Sequence, residues 1–196
     1  MTVWLTHGIE TMKPSHPLRP FLPADTIRLQ DLYAQSIEEL TQDDYDKDQR
    51  LAWIARAADA VAFAKRLSDA LTLVVERDGE MLGFASLKGN AEIDLLYVHP
   101  FAIGEGVATA LLDALERLAA ARGATQLSAD VSDTAHDFFQ QRGYLPVRRN
   151  NVPLDDVWLA STTMIKAFGA SAAKTLADDD EKAGGDEKAG DGSDGP

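Results

Sequence analysis

The sequence predicts a mixed α/β domain whose mostly antiparallel sheet is flanked by helices. Three observations lead there. Asp78-Gly79 separates two apolar runs, "LTLVVER" and "EMLGFASLKG", and such a pair is a strong hairpin signal. "AEIDLLYV" follows as a third consecutive strand. Beyond it, helical and extended patterns alternate until two final strand-like runs that can pair with each other.

The elements follow in order. Residues 1–16 show no sustained period and read as a leader, with Met12 as an alternative start. "PLRPFLP" is a short extended segment, and Pro23 with Asp25 signals a helix start. Ile27, Leu29, Leu32, Tyr33, Ser36, Ile37 and Leu40 then recur at helical spacing. "EELTQDDYDKD" is an acidic loop or helix end. Residues 47–57 and 60–68 carry helical patterning, with Leu51, Ile54, Ala58, Val61 and Ala64 along one side. After the three strands, Val107, Leu111, Ala114, Leu115 and Leu118 form the apolar stripe of a helix that Gly123 caps. "TQLSADV" is a strand, "SDTAHDFFQQRGY" a short helix closed by Gly143, and "YLPVRRNNV" with "VWLASTTMI" a last hairpin. The resulting order is β-α-α-β-β-β-α-β-α-β-β, within a domain at 17–168. The remaining 169–196 contain DEKAG twice and almost nothing apolar, so they read as an acidic disordered tail.

Composition excludes several functions. The chain has 196 residues and no cysteine, so neither a disulfide framework nor a thiol nucleophile is available. The formal net charge is −13. From Asp178 onward eight acidic residues face two lysines, which leaves 17 basic against 24 acidic residues in 1–177. That balance argues against a nucleic-acid or anionic-membrane surface, which needs clustered Lys and Arg. His7, His16, His99 and His136 lack metal-ligand spacing, and no metal is expected. No uncharged run approaches the roughly 18 residues of a membrane span. The first residues lack a signal-peptide pattern. The expectation is a cytoplasmic soluble protein.

The stretch "YVHPFAIGEGVATALLDALE" carries the most information. Glycines at a helix start point to an anion held on backbone N–H groups. A P-loop fails, because no lysine stands in Gly104-Glu105-Gly106-Val107-Ala108-Thr109. A Rossmann turn is closer, with Asp130 ending the next strand, but five residues, His99 to Ile103, separate the strand from Gly104. A third scheme fits. The segment resembles the acetyl-CoA loop, [QR]xxGx[GA], of the GNAT superfamily of N-acetyltransferases, placed after a strand ending Leu96-Tyr97-Val98-His99-Pro100. "SADVSDTAHDFFQQRGY" looks like that family's second cofactor segment, and its DxSxxAxxFFxxxGY form is similar to an uncharacterised bacterial branch. The resemblance runs from Pro17 to about Phe168.

What the resemblance implies is an acetyl-CoA-dependent acyltransferase. Its pyrophosphate would rest on the backbone of Gly104, Glu105, Gly106, Val107, Ala108 and Thr109, with no cationic side chain required. Main-chain groups of Leu96, Tyr97 and Val98 would face the thioester, and Ser132 stands where many members carry an Asn toward the pantetheine arm. Ile103 replaces the family's Arg or Gln, and Phe139 its frequent Tyr general acid. The partner would be a small-molecule or protein amine, and a homodimer is an assembly the family allows.

Transfer to an amine needs the amine neutral. A lysine-like group with pKa near 10.4 is about 0.04% neutral at pH 7, so deprotonation costs about 4–5 kcal/mol. A carboxylate can accept that proton. Asp94 interrupts the apolar strand "IDLLYV" and, by the two-residue period, shares a face with Leu96 and Val98; it is a base or a structural carboxylate. Asp130 is a second candidate base, or the cap of the following turn. Tyr45, Trp53 and Trp158 either line an acceptor pocket or fill the core. Without cysteine, transfer would be direct in a ternary complex. Two alternatives stay open: a non-catalytic acyl-CoA-binding module, and a dinucleotide-binding protein.

Overall fold

The computed structural model describes residues 16–169. The leader before His16, with its alternative start, and the tail beyond Gly169 therefore lie outside the described residues. Within them a seven-stranded sheet runs in the order β1-β2-β3-β4-β5-β7-β6, with β1 at Leu18–Pro20, β2 at Leu71–Arg77, β3 at Glu80–Lys88, β4 at Glu92–Val98, β5 at Gln126–Ser132, β6 at Leu145–Leu154 and β7 at Val157–Ala167. Every neighbouring pair is antiparallel except β4 and β5. The β2–β3 turn has both central residues at positive φ, Asp78 at 54° and Gly79 at 85°, the twist a two-residue hairpin requires.

Helices cover both faces. Helices α4 (Val107–Ala121) and α5 (Asp133–Gln141) bury Leu111, Leu115 and Phe139 against Val75, Ala85, Leu127 and Val131. On the other face α1 (Thr26–Leu40) and α3 (Ala60–Asp69) bury Leu29, Tyr33, Ile37, Phe63 and Leu67 against Val74, Phe84 and Leu95. This layer holds one helix more than the expected order. Residues 47–57 and 60–68 do not share an apolar side: α2 (Lys47–Ala55) is separate, and the Asp59 carboxylate starts α3 by accepting from the Val61 and Ala62 N–H groups. Leu51 and Val61 are accordingly exposed, as is Ile27.

Two details of packing place the site. Gly83 on β3 lies directly under α4: a Cβ there would stand 2.7 Å from Val107 Cγ1 and 2.9 Å from the Tyr97 carbonyl. The absence of a side chain thus lets α4 approach the sheet closely. The β3–β4 register also slips once, pairing Ser86 with Leu95 but Leu87 with Ile93, so Asp94 is an extra residue on β4. The bulge changes which side chains share a face. Ile93, Leu96 and Val98 join the α4 side, whereas Leu95 and Tyr97 join the α1–α3 side.

Candidate active site at the divide between the central strands

Strands β4 and β5 are the one parallel pair, and they pair only at Glu92–Ser128 and Ile93–Ala129. Beyond Ile93 they separate, and the gap joins two cavities. One, of about 620 Å³, lies on the α4–α5 side and reaches from Ile103 and Gly104 along α4 to Phe138 and Phe139. The other, of about 770 Å³, lies on the α1–α3 side and is walled by Trp53, Arg56, Arg66, Leu159 and Ser161. Asp94, Leu95, Tyr97, Asp130 and Ser132 border both.

The helix-side cavity ends on the glycine loop. Gly104 and Gly106 hold φ of 81° and 85°, values strained for residues with a Cβ, and Gly106 is the N-cap of α4 with no side-chain cap. Among the described residues no hydrogen bond is made by the backbone N–H of Gly104, Gly106, Val107, Ala108 or Thr109. These donors sit at the positive end of a 15-residue helix. Glu105 is the exception, since its N–H donates to the Ala102 carbonyl. Its acidic side chain is drawn away by Arg77 at 2.8 Å, whose pKa the contact raises, and its carbonyl accepts from His16 Nε2 at 2.6 Å. Both negative features of the loop are therefore engaged elsewhere. His16, placed in the leader on sequence grounds, is buried against the loop.

Backbone groups at the end of β4 complete this side. The His99 N–H donates to the Leu82 carbonyl, at 2.9 Å. By the alternation of an antiparallel ladder, Leu95 and Tyr97 turn their N–H groups toward β3. Leu96 and Val98 turn theirs to the gap. Tyr97 does not join them as expected: its main chain turns to β3, its ring packs on Tyr33 at 4.5 Å and its hydroxyl accepts from Trp53 Nε1 at 3.2 Å. Desolvation raises the Tyr97 pKa well above its ordinary value. Ser132 Oγ accepts from the Ala135 N–H at 3.3 Å as the cap of α5. Phe139 is buried edge-on against Tyr144, so no hydroxyl stands at its position.

The two candidate carboxylates prove different. Asp94 does not share a face with Leu96 and Val98, because the bulge turns it to α3. There both its oxygens accept from Arg66, each at 2.8 Å, and this contact raises the Arg66 pKa. Asp130 does not cap the following turn. It is exposed, and its Oδ1 accepts from Thr163 Oγ1 at 2.6 Å and from Asn150 Nδ2 at 3.4 Å. Tyr45 is core: its hydroxyl donates to the Ala160 carbonyl at 2.6 Å and accepts from the Asp133 N–H at 3.0 Å. Trp53 lines both cavities and Trp158 is exposed on β7. Sequence reasoning missed Arg56, Arg66, Arg77 and Gly83. Only Gly83, a glycine inside a strand, carried a local signal. Among the described residues no group of His, Cys, Asp or Glu could hold a metal, and no helix is long and apolar enough to cross a membrane.

Residues 41–167 match the family described as acetyltransferase (GNAT) domain. A curated relative, the uncharacterized N-acetyltransferase YafP of Escherichia coli K12, is 26% identical over 147 residues, covering 75% of this chain and 93% of its own. Among solved structures, a GCN5-related N-acetyltransferase from Rhodopseudomonas palustris, also described as aminotransferase class II, is 50% identical. It superposes with a TM-score of 0.76 over 78% of this chain and 96% of its own. The PaiA N-acetyltransferase of Thermoplasma acidophilum, solved in complex with coenzyme A, is 19% identical with a TM-score of 0.65, covering 79% and 99%. At that identity the likeness is one of fold.

Proposed function

The chain belongs to the GNAT acetyltransferase family, and from that premise we propose that it transfers the acetyl group of acetyl-CoA directly to an amine across the gap between β4 and β5. One observation carries the reading: two cavities meet at that gap, and the helix-side cavity ends on the uncapped N-terminus of α4. The N–H groups of Gly104, Gly106, Val107, Ala108 and Thr109 would hold the pyrophosphate, as preorganised donors at a helix start do without a lysine. The thioester would lie at the end of β4. The N–H groups of Leu96 and Val98 would stabilise the oxyanion there, the usual role of fixed backbone donors.

Asp130 is the group to which we assign the acceptor's proton. Asp130 borders both cavities, and its carboxylate is oriented by Thr163 and has no cationic partner among the described residues, whereas both oxygens of Asp94 are held by Arg66. An ammonium gives one proton to Asp130, and the freed lone pair attacks the thioester carbon. The C–N bond forms, the C–S bond breaks, and the thiolate leaves. The second nitrogen proton passes to the thiolate or to solvent, so the products are the amide, CoA and one proton. A cytoplasmic setting belongs to the same reading, because acetyl-CoA is made and consumed there.

The alternatives remain distinct in the test. Free-thiol release on adding amines to protein and acetyl-CoA supports transfer. CoA binding without thiol release from any amine would leave a binding module, and a melting temperature raised by NAD but not CoA would overturn the reading altogether.

A further inference from the structure

The acceptor-side cavity is lined by four basic and four acidic residues. Three pairs among them are satisfied within the protein: Lys65 with Asp69 at 2.5 Å, Arg66 with Asp94 at 2.8 Å, and Lys88 with Glu92 at 3.9 Å. One residue of each sign is left. Arg56, the residue that ends α2, makes no side-chain hydrogen bond or ion pair among the described residues, and Asp130 has no cationic partner there.

The two stand differently in the cavity. Asp130 borders both cavities and so lies at the gap, where the acetyl group would be delivered. Arg56 borders only the acceptor side. We infer that the acceptor is a small zwitterion, an amine that also carries a carboxylate, such as an α-amino acid. Its ammonium lies on Asp130 at the gap and its carboxylate on Arg56 away from it. A guanidinium suits that role, because its planar fork can meet both oxygens of a carboxylate. The paired charges and the rings of Trp53, Tyr33 and Tyr97 wall the rest of a cavity of about 770 Å³. A purely cationic amine would satisfy Asp130 but bring its charge to a site that retains an open arginine. The inference rests on the acetyl-transfer reading and deepens it.

The test supplies acetyl-CoA with a panel of L-amino acids and, for each, the corresponding carboxamide, and follows free thiol. The carboxylates should exceed their amides at least about tenfold in kcat/KM. Arg56→Gln should erase that preference by raising KM for the carboxylates while leaving kcat and the amides unchanged, and Arg56→Lys should restore part of it. Amides turned over as well as the acids, or an Arg56→Gln protein that keeps the preference, would overturn the inference while leaving acetyl transfer standing. Thiol release from neither class, while another amine is turned over, would overturn this inference alone; CoA binding with no thiol release from any amine would remove acetyl transfer and this inference together.

Discussion

Asp94→Asn and Asp130→Asn should separate structure from chemistry at the gap. The Asp94 side chain is 8% exposed and its partner Arg66 34% exposed. Removing one member of a fully buried pair costs about 3–5 kcal/mol, because an unpaired charge is left behind. A guanidinium one-third open to water recovers much of that loss, so the expectation is about 1–2 kcal/mol. For a domain of this size that is a melting temperature lower by about 2–8 °C. The turnover number of the folded Asp94→Asn enzyme should change little. Asp130→Asn should do the reverse. Asparagine can still accept from Thr163, so stability should hold, while loss of a general base lowers kcat by about 10²–10⁴. The deficit should shrink as pH rises, because the acceptor amine then deprotonates unaided. Calorimetry and a pH–rate series on both variants, at saturating acceptor, read all of this. An Asp94→Asn protein with an unmoved melting temperature and collapsed kcat would return the base to Asp94. An Asp130→Asn enzyme with a wild-type pH–rate profile would remove Asp130 from the proton path.

Gly106→Val should weaken CoA binding at least about tenfold, equivalent to about 1.4 kcal/mol, because a side chain would stand where the backbone must meet a pyrophosphate; unchanged titration calorimetry of a folded variant would refute it. Gly83→Ala should cost about 1–3 kcal/mol in urea unfolding, since its Cβ meets Val107 and the Tyr97 carbonyl; an unmoved midpoint would show that α4 can retreat freely. The Arg19 guanidinium, at 2.7 and 2.9 Å, holds the Asp25 carboxyl below its ordinary 3.8, so this contact stabilises the fold above that pH and is lost as pH falls through the lower folded value. The stability gap between wild type and Asp25→Asn should therefore be full at pH 6 and close at low pH, and an equal gap at both would contradict the assignment.

The parts of this molecule legible in its sequence are those whose cause is local. Asp78-Gly79 announces a turn because few residue pairs adopt two successive positive φ values, and the glycines at 104 and 106 mark a loop for the same reason. The helix after them shows its buried stripe directly. Asp94 marks where such reading stops. Counting by twos along "IDLLYV" places it beside Leu96 and Val98, but a strand sequence does not reveal that its neighbour skips a residue, and one bulge moves everything before it to the opposite face. The acceptor cavity is less legible still. It is assembled from α1, from the end of α2, from α3 and from five strands, so Arg56 and Asp130 acquire a relation only when the fold brings them to one cavity. Their lack of oppositely charged partners among the described residues, moreover, follows from the pairings around them: Asp94 is spent on Arg66, and Lys65 on Asp69. The same bulge thus ties one carboxylate to Arg66 and, on the proposed reading, leaves the other, with a single arginine, to face the substrate.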